Sequence, residues 1–347
     1  MKKVVVVFPR DRYFSSASGA RQITLMDRVT VLLKAGDYRP MLWMLCSAAT
    51  SGCQPEEDVG VLERSLGNEA GAKGDTADSG GEGSIWLAVS AGAFYSCGIR
   101  GDRTLACWGL NEDGQSTPPP GTYMDISVGS VTACALNVEG KLSCWGSDLA
   151  GLLDHPNGSW ASLSCKDYGC VVINSKKILK SWGSESYDVR RTDAEDCIAV
   201  DAGYHGACKI DTSRRISCVN RDHADWRHPR PGQFRLLSLG SPVGCAIDMK
   251  GELACWGDSD WGVEDPPPGR FLELSISATF GCAIAEDHSL ICWGGSPFPY
   301  PDDSFLEPPV GSFQQVSAGL YHACAITTAG GIECWGSNRD GESQPPE

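Results

Sequence analysis

Pairs of cysteines ten residues apart recur through most of the chain, and thiols at this spacing can do two kinds of chemistry. They can oxidise to disulfides, or as thiolates they can bind a metal ion. The segment ACALNVEGKLSCWG, which begins at Ala133, places Cys134 and Cys144 on either side of a glycine. Nearly the same string, ACAITTAGGIECWG, returns from Ala323. The chemistry therefore depends on the structural element that holds the two thiols.

A tryptophan-glycine pair marks a repeat that covers residues 85–347. Successive positions lie 37 residues apart, except for one step of 42 residues that contains an insertion. Val219 takes the tryptophan position in the fourth of seven copies. A fixed period of this length predicts a solenoid or a propeller. The tryptophans are Trp108, Trp145, Trp182, Trp256, Trp293 and Trp335.

Each copy has the pattern of a short strand followed by a β-hairpin. The strand ends in a Ser-x-Gly-like turn, such as VSAG at residues 89–92, and glycines near the middle of the hairpin suit a tight turn. If Cys134 faces Cys144 in the hairpin, the residue before the first cysteine faces the tryptophan and must be small. In the seven copies this residue is Ser96, Ala133, Gly169, Ala207, Gly244, Gly281 and Ala323.

Directly opposed cysteines on such a hairpin lie within disulfide reach, because their Cα atoms are about 4.5–5.5 Å apart. A structural zinc site needs four ligands, whereas each hairpin offers two thiols and no regular histidine. We therefore predict disulfides, which place these residues outside the cytoplasm. The predicted pairs are Cys97–Cys107, Cys134–Cys144, Cys208–Cys218, Cys245–Cys255, Cys282–Cys292 and Cys324–Cys334.

The third copy breaks the cysteine pattern, because Ser181 stands where the partner of Cys170 is expected. Two alternatives remain open. One is a bridge between Cys165 and Cys170 that leaves Cys197 alone, and the other is a bridge between Cys165 and Cys197 of neighbouring copies.

The first 84 residues differ from the repeats in composition. Residues 1–53 carry a net charge of +5 and contain a short apolar run with small residues before Cys53, which predicts a bacterial lipoprotein signal with Cys53 lipidated. The alternative is an N-terminal helix with no targeting role. Residues 54–84 carry a net charge of −6 and few large apolar side chains, which predicts a flexible tether. No apolar run of about 18 residues is present, so we expect contact with a membrane only through a lipid anchor.

The seven copies are variants of small-Cys-Ala-[Leu/Ile]-x3-Gly-x-[Leu/Ile]-x-Cys-Trp-Gly and resemble the repeat of the regulator of chromosome condensation family. Asn-x-x-Gly-[Gln/Glu] follows in the first and last copies, from Asn111 and Asn338. The resemblance covers residues 85–347, is to the bacterial Cys-Trp-Gly variety, and implies an all-β, seven-bladed β-propeller. It also implies that the first strand, residues 85–90, pairs with the last blade and closes the ring.

The family's best known activity is nucleotide exchange on a small nuclear GTPase, with nucleosome binding, and another member is a secreted protein inhibitor of β-lactamases. Residues 85–347 carry a net charge of −14, which argues against a nucleic-acid surface. Common catalytic and phosphate-binding motifs are missing, so we expect no cofactor. We predict a monomeric, non-catalytic protein-binding propeller at a bacterial cell envelope. The alternatives are an exchange-factor-like regulator and a carbohydrate-active enzyme.

Loops that follow the tryptophan-glycine pairs carry aromatic residues in copies three to six. Equivalent loops of neighbouring blades lie side by side on one rim, and aromatic residues dominate binding hot spots. These loops therefore predict a binding patch, with packing of the rings under their own loops as the alternative. The residues are Tyr187, Trp226, Trp261, Phe298 and, in the insertion, Tyr300.

Overall fold

The structure is a computed structural model that describes residues 85–183, 196–203, 206–220, 229–240, 242–257, 261–295 and 304–346. Residues 1–84, with Cys53, lie outside this part of the chain. The described residues form 21 strands and one short 3₁₀ helix, Ser304–Leu306. None of the described segments forms a helix that is long and apolar enough to cross a membrane.

Seven three-stranded antiparallel sheets follow one another along the chain, as the blades of a propeller do. Each sheet contains three consecutive strands, which confirms the predicted fold class. Blades 1 to 4 contain β1 Trp86–Ala91, β2 Tyr95–Arg100, β3 Leu105–Gly109; β4 Tyr123–Val128, β5 Thr132–Asn137, β6 Leu142–Gly146; β7 Ser162–Lys166, β8 Gly169–Ile173, β9 Leu179–Gly183; β10 Cys197–Gly203, β11 Gly206–Asp211, β12 Ile216–Asn220. Blades 5 to 7 contain β13 Phe234–Leu239, β14 Gly244–Asp248, β15 Leu253–Trp256; β16 Phe271–Ile276, β17 Phe280–Ala285, β18 Leu290–Gly294; β19 Phe313–Ala318, β20 His322–Thr327, β21 Ile332–Gly336.

The predicted cysteine pairs lie directly opposite each other on the second and third strands of their blades. All six pairs are disulfides, with Cα atoms 4.0–4.1 Å apart. A seventh disulfide joins Cys165 to Cys170 across the first and second strands of blade 3. Seven disulfides indicate an oxidising environment outside the cytoplasm.

The disulfide of blade 3 decides between the two alternatives for Cys165, because its partner is Cys170. Cys197 is a buried thiol at the start of β10.

The register of the blade 3 hairpin corrects one prediction, since Cys170 and not Gly169 faces Trp182. Cys170 lies twelve residues before its tryptophan, and the first cysteine of other copies lies eleven before. This one-residue shift turns its side chain to the other face of the strand.

A ring of hydrogen bonds joins the first strands of all seven blades. In each blade the serine of the Ser-x-Gly-like turn, or Asp201 in blade 4, accepts a backbone N–H from the first strand of the next blade. The seven donor–acceptor distances are 2.7–3.1 Å. The acceptors are Ser90, Ser127, Ser164, Asp201, Ser238, Ser275 and Ser317.

The glycine of the same turn is required by close packing around the axis. A Cβ atom on Gly240 would lie 2.0 Å from the carbonyl oxygen of Ser277, in the next blade. A Cβ atom on Gly319 would lie 2.4 Å from the carbonyl oxygen of Gly92. Backbone atoms cannot yield to such contacts as the end of a flexible side chain can, so the turn excludes other residues at these positions.

The ring closes without a shared strand, so the prediction that residues 85–90 pair with the last blade is wrong. β1 pairs with β2 in blade 1, because every copy supplies its own three strands and none is left to share. Contacts across the boundary hold blade 7 to blade 1 instead. The Ala91 N–H donates to Ser317 Oγ at 2.9 Å, and the Trp86 N–H donates to the Gly330 carbonyl at 2.8 Å.

Removal of one hydroxyl from the inner ring is expected to destabilise the whole propeller. Ser238 is buried and accepts the Ile276 N–H at 2.9 Å. Ser238→Ala leaves this buried donor without its acceptor, which costs about 1–3 kcal/mol of unfolding free energy. Denaturant unfolding of the oxidised protein measures the change. Ser217→Ala, at an exposed position on β12, is the matched control, and an equal effect of the two substitutions contradicts the role of the ring.

Candidate functional site

The propeller has two ends that are formed by different connections. Because each sheet is antiparallel, the turns between first and second strands lie at the same end as the loops that follow the tryptophan-glycine pairs. We call this the Trp-loop end. The turns between second and third strands lie at the other end, which we call the hairpin end. The predicted aromatic patch belongs to the Trp-loop end.

Indole N–H groups anchor the loops of the Trp-loop end. Among the described residues, the tryptophan Nε1 of five blades donates to a backbone carbonyl in the corresponding loop of the preceding blade, at 2.9–3.0 Å. The side chain of each accepting residue is buried, so these loops are part of the scaffold at this point. The acceptors are Gln115, Leu152, Val263, Phe305 and Glu342.

The glycine after each tryptophan has a steric role at the same end. Gly146 has a φ of 98°, and a Cβ atom on it would lie 2.5 Å from the carbonyl oxygen of Val131. The backbone of Val131 belongs to the turn between the first and second strands of blade 2. The tryptophan-glycine pair therefore joins two neighbouring loops and leaves no room for a side chain between them.

Trp261 is the one residue of the predicted aromatic patch within the described residues. Its ring is half-buried and packs against the cluster that contains Val243, Val263 and Phe271. Part of the ring therefore supports its own loop, and part remains accessible. The other four residues, Tyr187, Trp226, Phe298 and Tyr300, lie outside the described residues.

Further aromatic residues, which the sequence analysis did not predict, lie in the turns between first and second strands. Phe94, Tyr168 and Tyr321 are each half-buried at the Trp-loop end. Each precedes the second strand of its blade and follows the Ser-x-Gly-like position. Each lies fourteen residues before the tryptophan of its copy, so an alignment of the seven copies would have revealed them.

A lysine crosses the propeller axis at the Trp-loop end. Lys166 ends the first strand of blade 3, where most copies have the glycine of the Ser-x-Gly-like turn. Its Nζ donates to the backbone carbonyl of Ile276, in blade 6, at 2.8 Å. Blades 3 and 6 lie on opposite sides of a seven-membered ring, so this side chain spans the axis.

The carboxylates of Asp167 and Asp201 lie near this lysine. Both carboxylate groups are largely buried, although the two residues are partly exposed. Burial raises the pKa of the Asp201 carboxyl, while Lys166 and a hydrogen bond from Ser164 oppose the rise. Burial also raises the pKa of the Asp167 carboxyl, opposed by a hydrogen bond from Ser130 and then by Lys166. Asp201 also accepts the Leu239 N–H at 2.7 Å. These contacts bind neighbouring blades together, so the charged cluster is part of the scaffold.

A serine, a histidine and a carboxylate meet at the boundary of blades 7 and 1, which is a combination found in hydrolases. Ser96 Oγ lies 2.7 Å from His322 Nε2, but both residues are fully buried. The Glu342 carboxylate accepts the Ser337 hydroxyl and the Asp340 N–H, each at 2.7 Å. Because Ser96 has no exposed surface, a substrate cannot reach its hydroxyl in this conformation. The arrangement stabilises the boundary between the two blades.

Comparison with protein families identifies the repeat. Residues 86–115 and 313–342, which begin blades 1 and 7, match the model of the regulator of chromosome condensation (RCC1) repeat. These matches agree with the resemblance seen in the sequence, and the seven three-stranded sheets are those of a seven-bladed propeller. No curated protein sequence matches the chain.

Two ectodomains of plant receptor kinases are similar to the chain in fold. The ectodomain of the receptor kinase CR4 from Physcomitrella patens is 19% identical with a TM-score of 0.60, over 73% of this chain and 74% of that one. The CRINKLY WD40 ectodomain of ACR4 from Arabidopsis thaliana is 22% identical with a TM-score of 0.61, over 76% of this chain and 99% of that one. At these identities the likeness shows the fold alone.

Proposed function

We propose that this propeller of RCC1 repeats is a non-catalytic protein-binding module displayed at a bacterial cell envelope, and that it binds its partner through the Trp-loop end. The observation that carries the proposal is the half-buried Trp261, which packs against the apolar cluster of its blade and is not fully covered. Aromatic side chains held rigidly in this way lose little conformational entropy on binding and are frequent hot spots.

Two further features support the Trp-loop end, and two others support the proposed location. Phe94, Tyr168 and Tyr321 add half-buried aromatic surface, and the indole hydrogen bonds hold the loops between them in fixed positions. The disulfides support a location outside the cytoplasm, and the lipoprotein-like sequence before Cys53 supports attachment to the envelope.

The test is capture of a partner by the oxidised full-length protein from an extract of the cell envelope. Trp261→Ala is expected to weaken capture about 30-fold, since a hot-spot aromatic residue contributes about 2 kcal/mol or more. Leu149→Ala is the matched control, because Leu149 is an exposed apolar residue of the equivalent region in blade 2. Quantitative mass spectrometry of the captured proteins provides the measurement.

If denaturant unfolding shows that Trp261→Ala does not fold, the ring supports its own loop and its effect on capture is indirect. Equal capture by the parent protein and both variants would place the binding surface elsewhere. Nucleotide exchange on a small GTPase by the oxidised protein would favour the exchange-factor alternative.

A further inference from the structure

The negative charge of the repeat region is concentrated at the Trp-loop end. The eight residues that follow each tryptophan-glycine pair, or Val219-Asn220 in blade 4, contain fifteen acidic and five basic residues in all. We call these segments the outer loops. The turns between second and third strands, at the hairpin end, contain five acidic and seven basic residues. The net charges are therefore −10 for the outer loops and +2 for these turns.

Five consecutive blades carry the whole net charge of the outer loops. These are blades 5, 6, 7, 1 and 2, whose outer loops we call the acidic arc. The outer loops of blades 3 and 4 are neutral, because Arg190, Arg191, Arg221 and Arg227 balance their four acidic residues. These four arginines lie outside the described residues. In the described part of the acidic arc, Arg339 is the one basic residue.

Carboxylates of different blades repel one another within the acidic arc. Burial, followed by the negative charges of Glu342 and Glu112, raises the pKa of the Asp340 carboxyl, against the opposing effect of Arg339. Glu112 belongs to blade 1, whereas the other three residues belong to blade 7. Cationic groups of a partner that approach this boundary relieve the repulsion, so the charge of the arc favours a basic partner.

Side-chain hydrogen bonds fix the backbone of the outer loops. Asn111 Oδ1 accepts the Ser116 N–H at 2.9 Å in blade 1, and Asn338 Oδ1 accepts the Ser343 N–H at 3.2 Å at the equivalent position of blade 7. These contacts add to the indole hydrogen bonds already described. The carboxylates are thus presented from an ordered backbone, which reduces the entropy that binding must cost.

An apolar ring lies inside the acidic arc. The first strands are innermost, since one ring of hydrogen bonds joins them, so the turns that follow them surround the axis. We call these the inner turns. The Thr279 hydroxyl donates to the Leu320 carbonyl at 2.6 Å, and the Leu320 N–H donates to the Gly92 carbonyl at 3.2 Å, which joins the inner turns of blades 6, 7 and 1. The partly exposed apolar residues of the inner turns include Phe94, Val131, Tyr168, Pro242, Leu320 and Tyr321.

The lysine at the axis adds no net positive charge to this ring. Lys166 reaches the Ile276 carbonyl across the axis, at the level of the strand ends, so it forms a floor beneath the inner turns. Its ammonium acts on the carboxylates of Asp167 and Asp201. A side chain of a partner therefore packs on the inner turns above this floor and meets no excess of positive charge there.

We infer that the partner bound at the Trp-loop end presents a segment rich in lysine and arginine with an apolar side chain at its centre. The apolar side chain packs on the inner turns, and its cationic neighbours contact the acidic arc. Nucleic acids and anionic membranes are unfavourable partners for the same surface, because their charge is negative. The inference rests on the proposed function, since it names the chemistry of the partner that this end binds.

The experiment measures fluorescence anisotropy of three labelled twelve-residue peptides with the oxidised full-length protein, at several salt concentrations. The first peptide has a Leu-Trp pair between two runs of lysines, the second replaces the pair by two alanines, and the third replaces the lysines by glutamates. The first is expected to bind about tenfold more tightly than the second, from partial burial of apolar surface. The third is expected not to bind, and the affinity of the first two falls with added salt.

A charge-reversal variant tests the acidic arc. Asp113→Lys, Asp154→Lys and Asp265→Lys together alter exposed positions in blades 1, 2 and 5, and they are expected to weaken both basic peptides about tenfold. The matched control makes the same change in net charge away from the Trp-loop end. It combines Glu139→Lys, Glu252→Lys and Glu333→Lys, all at exposed positions, and is expected to have little effect.

A second variant tests the inner turns. Phe94→Ala with Leu320→Ala is expected to remove most of the preference for the Leu-Trp peptide over its alanine counterpart. Val138→Ala with Met249→Ala, at exposed apolar residues of the hairpin end, is the control that keeps the preference. If the first pair prevents folding, Leu320→Ala alone is used, with an expected loss of about threefold in that preference.

Three results would overturn the inference. They are absence of binding by the basic peptides, equal weakening by the two charge-reversal variants, and an unchanged preference for the Leu-Trp peptide in a folded inner-turn variant. Partner capture separates these failures from failure of the proposed function. A partner that is lost in Trp261→Ala but retained by the outer-loop variant leaves the proposed function standing and contradicts the inference. Peptide binding as expected, with no capture that depends on Trp261, contradicts the proposed function alone.

Discussion

Reduction of the seven disulfides is expected to unfold the propeller. In the chain-entropy description, each of the six bridges that span ten residues contributes about 2.7 kcal/mol, and the shorter Cys165–Cys170 bridge contributes about 2 kcal/mol. The total exceeds the 5–15 kcal/mol by which folded domains are usually stable. The blades depend strongly on these bridges, because each sheet has three short strands.

The measurement is intrinsic tryptophan fluorescence, since Trp108, Trp145, Trp256 and Trp335 are buried and become hydrated on unfolding. The protein is treated with a phosphine reductant, and mass spectrometry after alkylation counts the thiols released. Addition of the alkylating reagent without the reductant is the control, and the buried Cys197 is then expected to stay unmodified. Native fluorescence in a sample whose 14 bridged cysteines are all alkylated would show that the fold does not need the disulfides.

Acid is expected to weaken the propeller through His322, at the boundary of blades 7 and 1. Burial lowers the pKa of this imidazole from 6.5 to about 4, against the opposing effect of the Glu342 carboxylate. The unfolded chain then binds a proton more readily than the folded one. Stability is therefore unaffected above pH 6.5 and falls as the pH drops from 6.5 to about 4, by about 3 kcal/mol in total.

His322→Phe isolates this effect, because Phe280 is the natural equivalent in blade 6 and is fully buried. The difference in unfolding free energy between the protein and the variant is measured by denaturant titration at several pH values. Enclosed carboxyls such as Asp167 and Asp201 have raised pKa values and act in the opposite direction, but they are common to both proteins. A difference that does not change between pH 7 and pH 4 would contradict the assignment.

The Glu342 carboxyl changes the stability of the fold at lower pH than His322 does. Burial opposes its ionisation, but hydrogen bonds from Ser337 and backbone N–H groups hold its pKa below the usual value. The stability that it contributes is present above its ordinary pKa of 4.5 and is lost as the pH falls through the lowered value. Most of the histidine effect therefore develops before this carboxylate is protonated.

The disulfides and the blades were predictable because they depend on local spacing. Two cysteines with a fixed interval on one hairpin, such as Cys134 and Cys144, meet whenever the strands pair, and a constant period repeats the result around the ring. The same reasoning failed for Gly169, because the cysteine of that copy is displaced by one residue relative to Trp182. Small shifts of this kind reverse the face of a strand and are easily missed when copies are aligned on cysteine alone.

Contacts between distant blades were not predictable from the period. Lys166 and Ile276 are 110 residues apart, and only the closure of the ring brings the ammonium to that carbonyl. The sole sign in the sequence is a lysine at a position that is usually glycine. A cavity of about 30 Å³ between blades 3 and 4 is a similar case, because Cys197 in its wall stands where the other six copies have an aromatic residue.

The binding surface was predicted only as a region. The period places Trp261 in an exposed type of loop, but the packing of its ring on Val243 and Val263 follows from the tertiary structure. Phe94 and Tyr168 were overlooked because the turns that hold them vary in sequence from one copy to the next. Their common location is nevertheless encoded in the period, since each lies fourteen residues before the tryptophan of its copy.

Because no closing strand is shared, each blade is a complete sheet of three consecutive strands. At every boundary a loop joins two complete sheets, except between blades 7 and 1, where the hydrogen bonds of Ser317 and Gly330 do the joining. A gene that began at any other blade, with β21 connected to β1 by a short linker, would encode the same set of sheets and the same inner ring. The fold is therefore suited to circular permutation, and the order of its blades along the chain is a matter of history rather than of structural necessity.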